Sequence, residues 1–423
     1  MTTSAADRSP DPFAKAGRLR DKLLATPGLR TVHRPVTSAS DATFPLRYVR
    51  TPTTASSGAG GAIPPVLFIP GGPGMASVAP YSFLRARAAA RGLDTLMVEH
   101  RGVGLSRRDE AGRDLPPAAI DIRAVVGDLA AVLDDAGVGR AVVYDASYGT
   151  YLAQAFAADH PERVAGLVLD SPMLSARDSA VVKENLRSIL WAGDTPATRE
   201  SARIVRELHA AGTYPDDPGA AVPRAVYEFA GPRTWEHLAV ALSQGRGRRA
   251  YDEILHLTAR ETQAPTPYIM EMDLVGRIAY EELDYAPAPD GLPFDPDVVL
   301  AHVGERFGPF SGEPYDLPAA LARFAGPVAV VSGEYDLRTP RVVAQRAVDL
   351  APDGILVPLR GLGHSALDFH PLAAIAVAAG LAAGGHRRLP ALADRIAALP
   401  RPLPSRGLQT IFRARISAAR LGL

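Results

Sequence analysis

The chain has 423 residues, is 47% hydrophobic, and carries 46 basic against 46 acidic residues, a formal net charge of zero. That length allows two or three domains around a large core, and the balanced charge speaks against a nucleic-acid partner. Cysteine is absent, which excludes disulfides and thiol catalysis; with only ten histidines, no metal and no cofactor is expected.

The opening stretch, MTTSAADRSPDPFAKAGRLRDKLL, is charged throughout and has no apolar segment of the kind that directs export. No run of eighteen uncharged apolar residues follows, so a soluble, cytoplasmic protein without an integral membrane segment is expected. Residues 1–45 read as an N-terminal extension. From residue 46 to 175, short β-branched runs alternate with helical stretches. VLFI (Val66–Ile69), DTLMVE (Asp94–Glu99), AVVY (Ala141–Tyr144) and GLVLD (Gly166–Asp170) read as buried strands. Between them, IRAVVGDLAAVLDDAGV has helical spacing and Gly137 as its stop. Residues 176–325 lose the alternation, look helical, contain Trp191, Trp235 and many Tyr, and read as an inserted helical cap. The alternation returns over 326–385, with PVAVVSG (Pro327–Gly333) and ILVPL (Ile355–Leu359) as strands. Residues 386–423 carry eight Arg and one Asp; they read as a helical tail packed on the core with solvated Arg, or as a membrane-surface or partner-binding helix. The sum is an α/β chain: a mostly parallel sheet covered by helices on both faces, with a cap.

Three residues in this frame can act together. Ser147 sits in VVYDASYGTY, where a strand turns straight into a helix, so its hydroxyl would stand at the carboxyl end of the sheet. There the N–H of Tyr148 points at a developing oxyanion, and Gly149 lets helix and strand approach. Asp336, in VVSGEYDLRTP, and His364, in LRGLGHSALDF, each follow a later strand. A serine nucleophile needs a base, and the base needs an orienting carboxylate. Each residue alone reads as a turn or loop residue; the order Ser, Asp, His on successive strand ends makes coincidence a poor account. Glu334 is the rival acid, two residues before Asp336, which lies further into the loop. The loop FIPGGPGMAS offers the main-chain N–H groups of Gly71 and Gly72 as further oxyanion donors. It lacks the Gly-Lys-Ser/Thr ending of a phosphate loop.

These pieces resemble the α/β-hydrolase fold, and within it the proline iminopeptidase and tripeptidyl aminopeptidase group of serine peptidases. The resemblance is carried by PGGPG, VEHRGVGLS, SYGTYLAQAFAADHPERVAGLVLDSP, GEYDLRTP and GLGHS, and spans about Pro65–Pro172 and Pro327–Ser365. It implies Ser147 as nucleophile, Asp336 as acid, His364 as base, and oxyanion N–H groups from Tyr148, Gly71 and Gly72. The chain departs from the group at three places. Pro70 stands where His is usual, a change the tripeptidyl group tolerates. Glu99 and His100 replace Asp-Gln, and Asp145 replaces the elbow glycine.

The expected activity is cleavage of an amide or ester through an acyl-enzyme. An aminopeptidase comes first on the resemblance; a carboxylesterase, lactonase or amidase acting on a small metabolite comes next, and a non-hydrolytic member last. The substrate is then a short peptide or small molecule, and the oligomeric state is not legible. An aminopeptidase must bind a free α-ammonium, for which YIMEMDLVGRIAYEELDY offers Glu271, Asp273, Glu281 and Glu282; each also reads as part of a solvated helix face. Asp145, buried beside a serine nucleophile, needs either an Arg partner, Arg101 first, or a side chain turned away from the site.

Overall fold

The computed structural model describes residues 16–53, 63–263 and 265–422; the opening fifteen residues, on which part of the export reading rests, lie outside them. Eight strands build one sheet: β1 Leu29–Pro35, β2 Thr43–Thr51, β3 Val66–Ile69, β4 Thr95–Val98, β5 Ala141–Ala146, β6 Val164–Asp170, β7 Val328–Gly333 and β8 Gly354–Leu359. Their order is β1-β2-β4-β3-β5-β6-β7-β8. β1 runs antiparallel to β2 and β2 to β4, while β3 to β8 form the parallel part.

The six strands expected from apolar runs are that parallel part. β3, β4, β5 and β7 are buried at every position, which is why their sequences do not alternate. Along β5, Ala141 and Val143 enter one core with the helices Ile122–Asp135 and Tyr148–Asp159. Val142, Tyr144 and Ala146 enter the other, with the helices Ser82–Ala89 and Pro371–Ala382.

Residues 29–45 are not an appendage, and this corrects the reading of 1–45 as an extension. They supply β1 and the start of β2, paired from Leu29↔Val49 to Pro35↔Thr43. Sequence pattern missed β1 because it is an edge strand with no fully buried residue, carrying Arg30, His33, Arg34 and Pro35. Charge and proline are how an edge avoids pairing with another chain. In β2 only Phe44, Leu46, Tyr48 and Val49 are buried, and Pro45 interrupts the run.

From Asp178 to Gly304 the regular elements among the described residues are helices joined by loops. Leu186, Leu190, Val226, Trp235, Tyr251 and Phe294 form a core there that is separate from the two sheet cores. The next helix, Leu317–Arg323, instead packs on Tyr148–Asp159 and puts Leu317 and Leu321 into the sheet's core. In the Arg-rich tail, the helix Leu389–Ala397 lays Leu389, Ala393 and Ile396 on the sheet. The helix Leu403–Leu421 goes elsewhere: Phe412, Ile416 and Ala419 complete the cap core, while Arg413, Arg415 and Arg420 stay exposed. Arg415 pairs with Glu253 on the cap helix Arg248–Gln263. No helix among the described residues is long and apolar enough to cross a membrane.

Candidate active site

The strand-to-helix turn after β5 holds Ser147 at φ 52°, ψ −121°. A non-glycine residue in that region is strained and persists only where its surroundings hold it. Here the Ser147 N–H donates to the Asp170 carbonyl at 2.9 Å, and its own carbonyl accepts from the Thr150 N–H at 2.9 Å and the Thr150 hydroxyl at 2.6 Å. Gly149 is required: a Cβ on it would lie 2.6 Å from the Ile69 carbonyl oxygen and 2.8 Å from that of Pro70. Gly71 approaches from the other side less closely, since a Cβ on it would sit 3.1 Å from the Ala146 carbonyl oxygen and 3.2 Å from the Ser147 Cβ.

His364 follows β8, and its Nδ1 lies 3.1 Å from both carboxylate oxygens of Asp336. Nδ1 therefore carries the proton and donates it, which leaves Nε2 as the basic nitrogen. Asp336 is held in turn by the N–H groups of Arg338 and Thr339 and by the Thr339 hydroxyl, each at 2.9 Å. Burial alone would raise the Asp336 carboxyl, but the His364 imidazolium and these donors hold it below the ordinary carboxylate range. Burial likewise opposes charge on His364, yet the Asp336 carboxylate wins and lifts it above the ordinary histidine value. Glu334, the rival acid, accepts instead from the Gly361 N–H at 2.8 Å on the surface.

Ser147, His364, Gly71 and Gly72 line one cavity of about 1390 Å³ roofed by the cap. Tyr148 opens the helix next to Ser147, where main-chain N–H groups lack helical acceptors. Its side chain is buried and donates to His100 Nε2 at 3.1 Å; His100 Nδ1 donates to the Arg101 carbonyl at 2.6 Å. Burial pushes His100 down to about 4, so it stays neutral in this role. Glu99 is fully buried and accepts from the Ser77 N–H at 2.6 Å, the Val78 N–H at 3.1 Å and the Leu105 N–H at 3.2 Å. It thereby staples the segment after the Gly-Pro loop to its own loop.

Two expectations are overturned, and one residue was missed. Glu271, Glu281 and Glu282 do not line the cavity. Glu271 is fully buried and accepts from the N–H groups of Gly104 at 3.0 Å and Tyr268 at 2.5 Å, with Arg107 at 3.4 Å. Glu281 holds Arg277 at 2.7 Å and the Gly308 N–H at 2.9 Å, and Glu282 accepts from the Ile122 N–H at 3.0 Å. Asp273 pairs with Arg107 at 2.7 Å. The acid that does reach the cavity from this segment is Asp284, at φ 51° and without a hydrogen-bonding partner among the described residues. Asp284 stands in the same acidic stretch, two residues past the π-helical turn Ile278–Glu282, and nothing in the sequence set it apart from its neighbours.

The second reversal concerns Asp145. Arg101 is not its partner, because Arg101 makes a two-point bond to Asp128 at 2.7 Å and 2.7 Å. Asp145 lies between Ile69 and Leu169 in the sheet, fully buried, and neither oxygen meets a partner among the described residues. Burial raises it well above the ordinary aspartate value and so favours the neutral acid. Its side chain is off the cavity, the second of the two arrangements expected.

The missed residue is Asp170, to which the sequence drew no attention. Burial pushes Asp170 up to about 7, against the main-chain bonds it accepts from Ala366 and Leu367. Its only sequence signal was its place at the end of an apolar strand.

Residues 64–223 match the family model described as the alpha/beta hydrolase fold. Two proline iminopeptidases of Neisseria meningitidis are each 35% identical to the chain over 111 residues, 25% of this chain and 31% of theirs. The chain thus matches under a third of those relatives' length. The solved structure of proline iminopeptidase from Mycobacterium smegmatis superposes with a TM-score of 0.50 and 20% identity, over 85% of this chain and 99% of that one. The fold is that of the α/β hydrolases.

Proposed function

We propose that this α/β-hydrolase chain is a serine hydrolase that cleaves an amide or ester through an acyl-enzyme. The observation that carries the reading is the Asp336–His364 pair on the same cavity as Ser147 in its strained turn. Nε2 of His364 takes the Ser147 proton as Oγ attacks the substrate carbonyl, and the N–H groups of Tyr148 and of Gly71 or Gly72 receive the oxyanion. The imidazolium then protonates the leaving group, and the neutral base activates the water that frees the acyl product. Ser147→Ala and His364→Ala are each expected to lower turnover by several orders of magnitude, and the double variant by little more. A fluorophosphonate should label the wild type at Ser147; near-wild-type turnover in either single variant removes the assignment.

Within that class we read an aminopeptidase first. The similarity to the Neisseria proline iminopeptidases supports it, and so does Asp284, an acid on the cavity able to receive an α-ammonium. A carboxylesterase or amidase is the second reading, favoured by the apolar lining of the cavity. Aminoacyl anilides and acyl esters assayed in parallel separate them. On the first reading Asp284→Asn loses at least tenfold in kcat/KM on anilides with a free amino group and much less on acyl esters. Equal loss on both would count against an ammonium site.

A further inference from the structure

At about 1390 Å³ the cavity exceeds the roughly 300–1,000 Å³ of ordinary small-molecule sites and far exceeds what a single prolyl residue needs. Its lining is mainly apolar. Four of the six methionines in the chain, Met75, Met173, Met270 and Met272, face it from three separate segments: the loop after β3, the loop after β6, and the cap. Unbranched thioethers adapt to apolar groups of varied shape. Much of the acidic lining is already committed: Asp178 accepts from the N–H groups of Leu174 and Ser175, Asp297 holds Lys183, and Asp368 accepts from the Tyr81 hydroxyl. Resting on the hydrolase reading above, we infer that the site takes a bulky, apolar acyl group on the carbonyl side of the scissile bond, larger than prolyl or acetyl; in an aminopeptidase that bulk is the apolar side chain of the N-terminal residue, and in an esterase the acyl chain itself.

The test uses the full chain and p-nitrophenyl esters from acetyl to decanoyl. Burial of each methylene should raise kcat/KM by roughly threefold until the cavity is filled. Leu300→Trp, which narrows the cavity from the cap, should cut the octanoyl-over-acetyl ratio at least tenfold. A flat or falling series from acetyl upward, or an unchanged ratio in Leu300→Trp, overturns the inference while leaving the hydrolase reading intact. Absence of both ester hydrolysis and fluorophosphonate labelling removes the hydrolase reading, and the acyl inference with it.

A different observation carries a second inference. Asp170 ends β6 and is fully buried. Its main-chain carbonyl accepts the Ser147 N–H at 2.9 Å. Its carboxyl group accepts the N–H of Ala366 at 3.1 Å and of Leu367 at 2.7 Å, in the turn just after His364, and the Tyr144 hydroxyl at 3.0 Å. The adjacent Ser171 hydroxyl accepts the Ser365 N–H at 3.0 Å. One residue therefore grips the Ser147 turn with its main chain and the His364 loop with its side chain. We propose that Asp170 is a positioning residue that sets the reach between Ser147 and His364.

Asp170→Asn keeps one acceptor but sets an amide against the second N–H. It should lower kcat at least tenfold with KM within about twofold, and slow fluorophosphonate labelling of Ser147 by the same factor, in protein still folded at the assay temperature. Unchanged kcat and labelling with only a lower Tm would reduce Asp170 to a structural role and overturn the proposal. Should Asp170→Asn not fold, Tyr144→Phe carries the test: kcat should fall severalfold, and an unchanged kcat overturns the proposal.

Discussion

Asp336 and His364 set each other's protonation, and the pH profile should reveal it. The base must be neutral to accept a proton, so kcat/KM falls as pH drops through the His364 pKa, which Asp336 holds above the ordinary histidine value against the effect of burial. In Asp336→Asn the burial remains and the raising partner is gone. Turnover should fall by roughly 10⁴, as an amide does in a comparable triad, and the acidic limb should move to lower pH. Glu334→Gln should do neither, because the Glu334 carboxylate accepts from the Gly361 N–H on the surface and not from His364. Asp145 gives a prediction of the opposite kind. Its folded pKa is raised above its unfolded one, so between roughly pH 4 and the folded pKa the native state holds a proton that the unfolded chain has released. Stability must therefore fall as pH rises through that window, by up to about 1.4 kcal/mol per pH unit. Asp145→Asn removes the titration, and its Tm relative to wild type should be higher at pH 8 than at pH 5. A difference independent of pH would mean that Asp145 is ionised or paired. Since no partner charge is left behind, hydrolysis should persist in Asp145→Gly.

Among the elements, the contact between β5, the loop after β3 and the helix Tyr148–Asp159 carries the greatest constraint. The Cβ of an alanine at 149 would press on two main-chain carbonyl oxygens, at 2.6 Å and 2.8 Å, and main chain in the sheet cannot give way as a flexible side chain can. Gly149→Ala should cost about 1–3 kcal/mol or more, and it should also lower activity because the same shift moves Ser147. Thermal unfolding and turnover measured together check this; a stable, fully active variant would mean the turn is looser than its geometry. The motif Ser-Tyr-Gly predicted this contact without any coordinates, because only a close approach demands glycine there.

Across the whole molecule, two cores flank the sheet and a third lies in the cap, closed by the helix Leu403–Leu421. Glu228 ties cap to sheet, accepting from the Leu337 N–H at 3.2 Å and from Arg338 at 3.1 Å beside the acid loop. Phe412 is almost wholly buried in the cap core, so Phe412→Ala should cost the cap about 3–5 kcal/mol. Trp235 sits in that core and Trp191 packs against it half-buried, so the fluorescence of the two tryptophans reports on the cap. In Phe412→Ala the fluorescence transition in urea should move to lower concentration, while the amides of β5, β6 and β7 keep wild-type protection from hydrogen exchange. Equal loss of protection in those strands would show that cap and sheet unfold as one unit.

The sequence by itself determined the parallel part of the sheet, the strand-end positions of Ser147, Asp336 and His364, and the need for Gly149. These are local consequences of burial on both faces, of chain order and of close approach, and each leaves a mark in a short window. What only the tertiary structure decided depends on partners distant in the chain. Edge strand β1 has no buried run to betray it, and its place comes from pairing with β2. The acidic residues of the cap were indistinguishable in sequence; packing turned Glu271, Glu281 and Glu282 toward main-chain N–H groups and arginines, and left Asp284, past the helix end, on the cavity. Arg101 was the nearest guess for Asp145, but Asp128, one helix away, claimed it. The Arg-rich tail read as a helix packed on the core, with a surface-binding helix as the alternative; that Phe412 and Ile416 meet the cap was beyond sequence, because a helix's apolar stripe says that it will be covered and never by what.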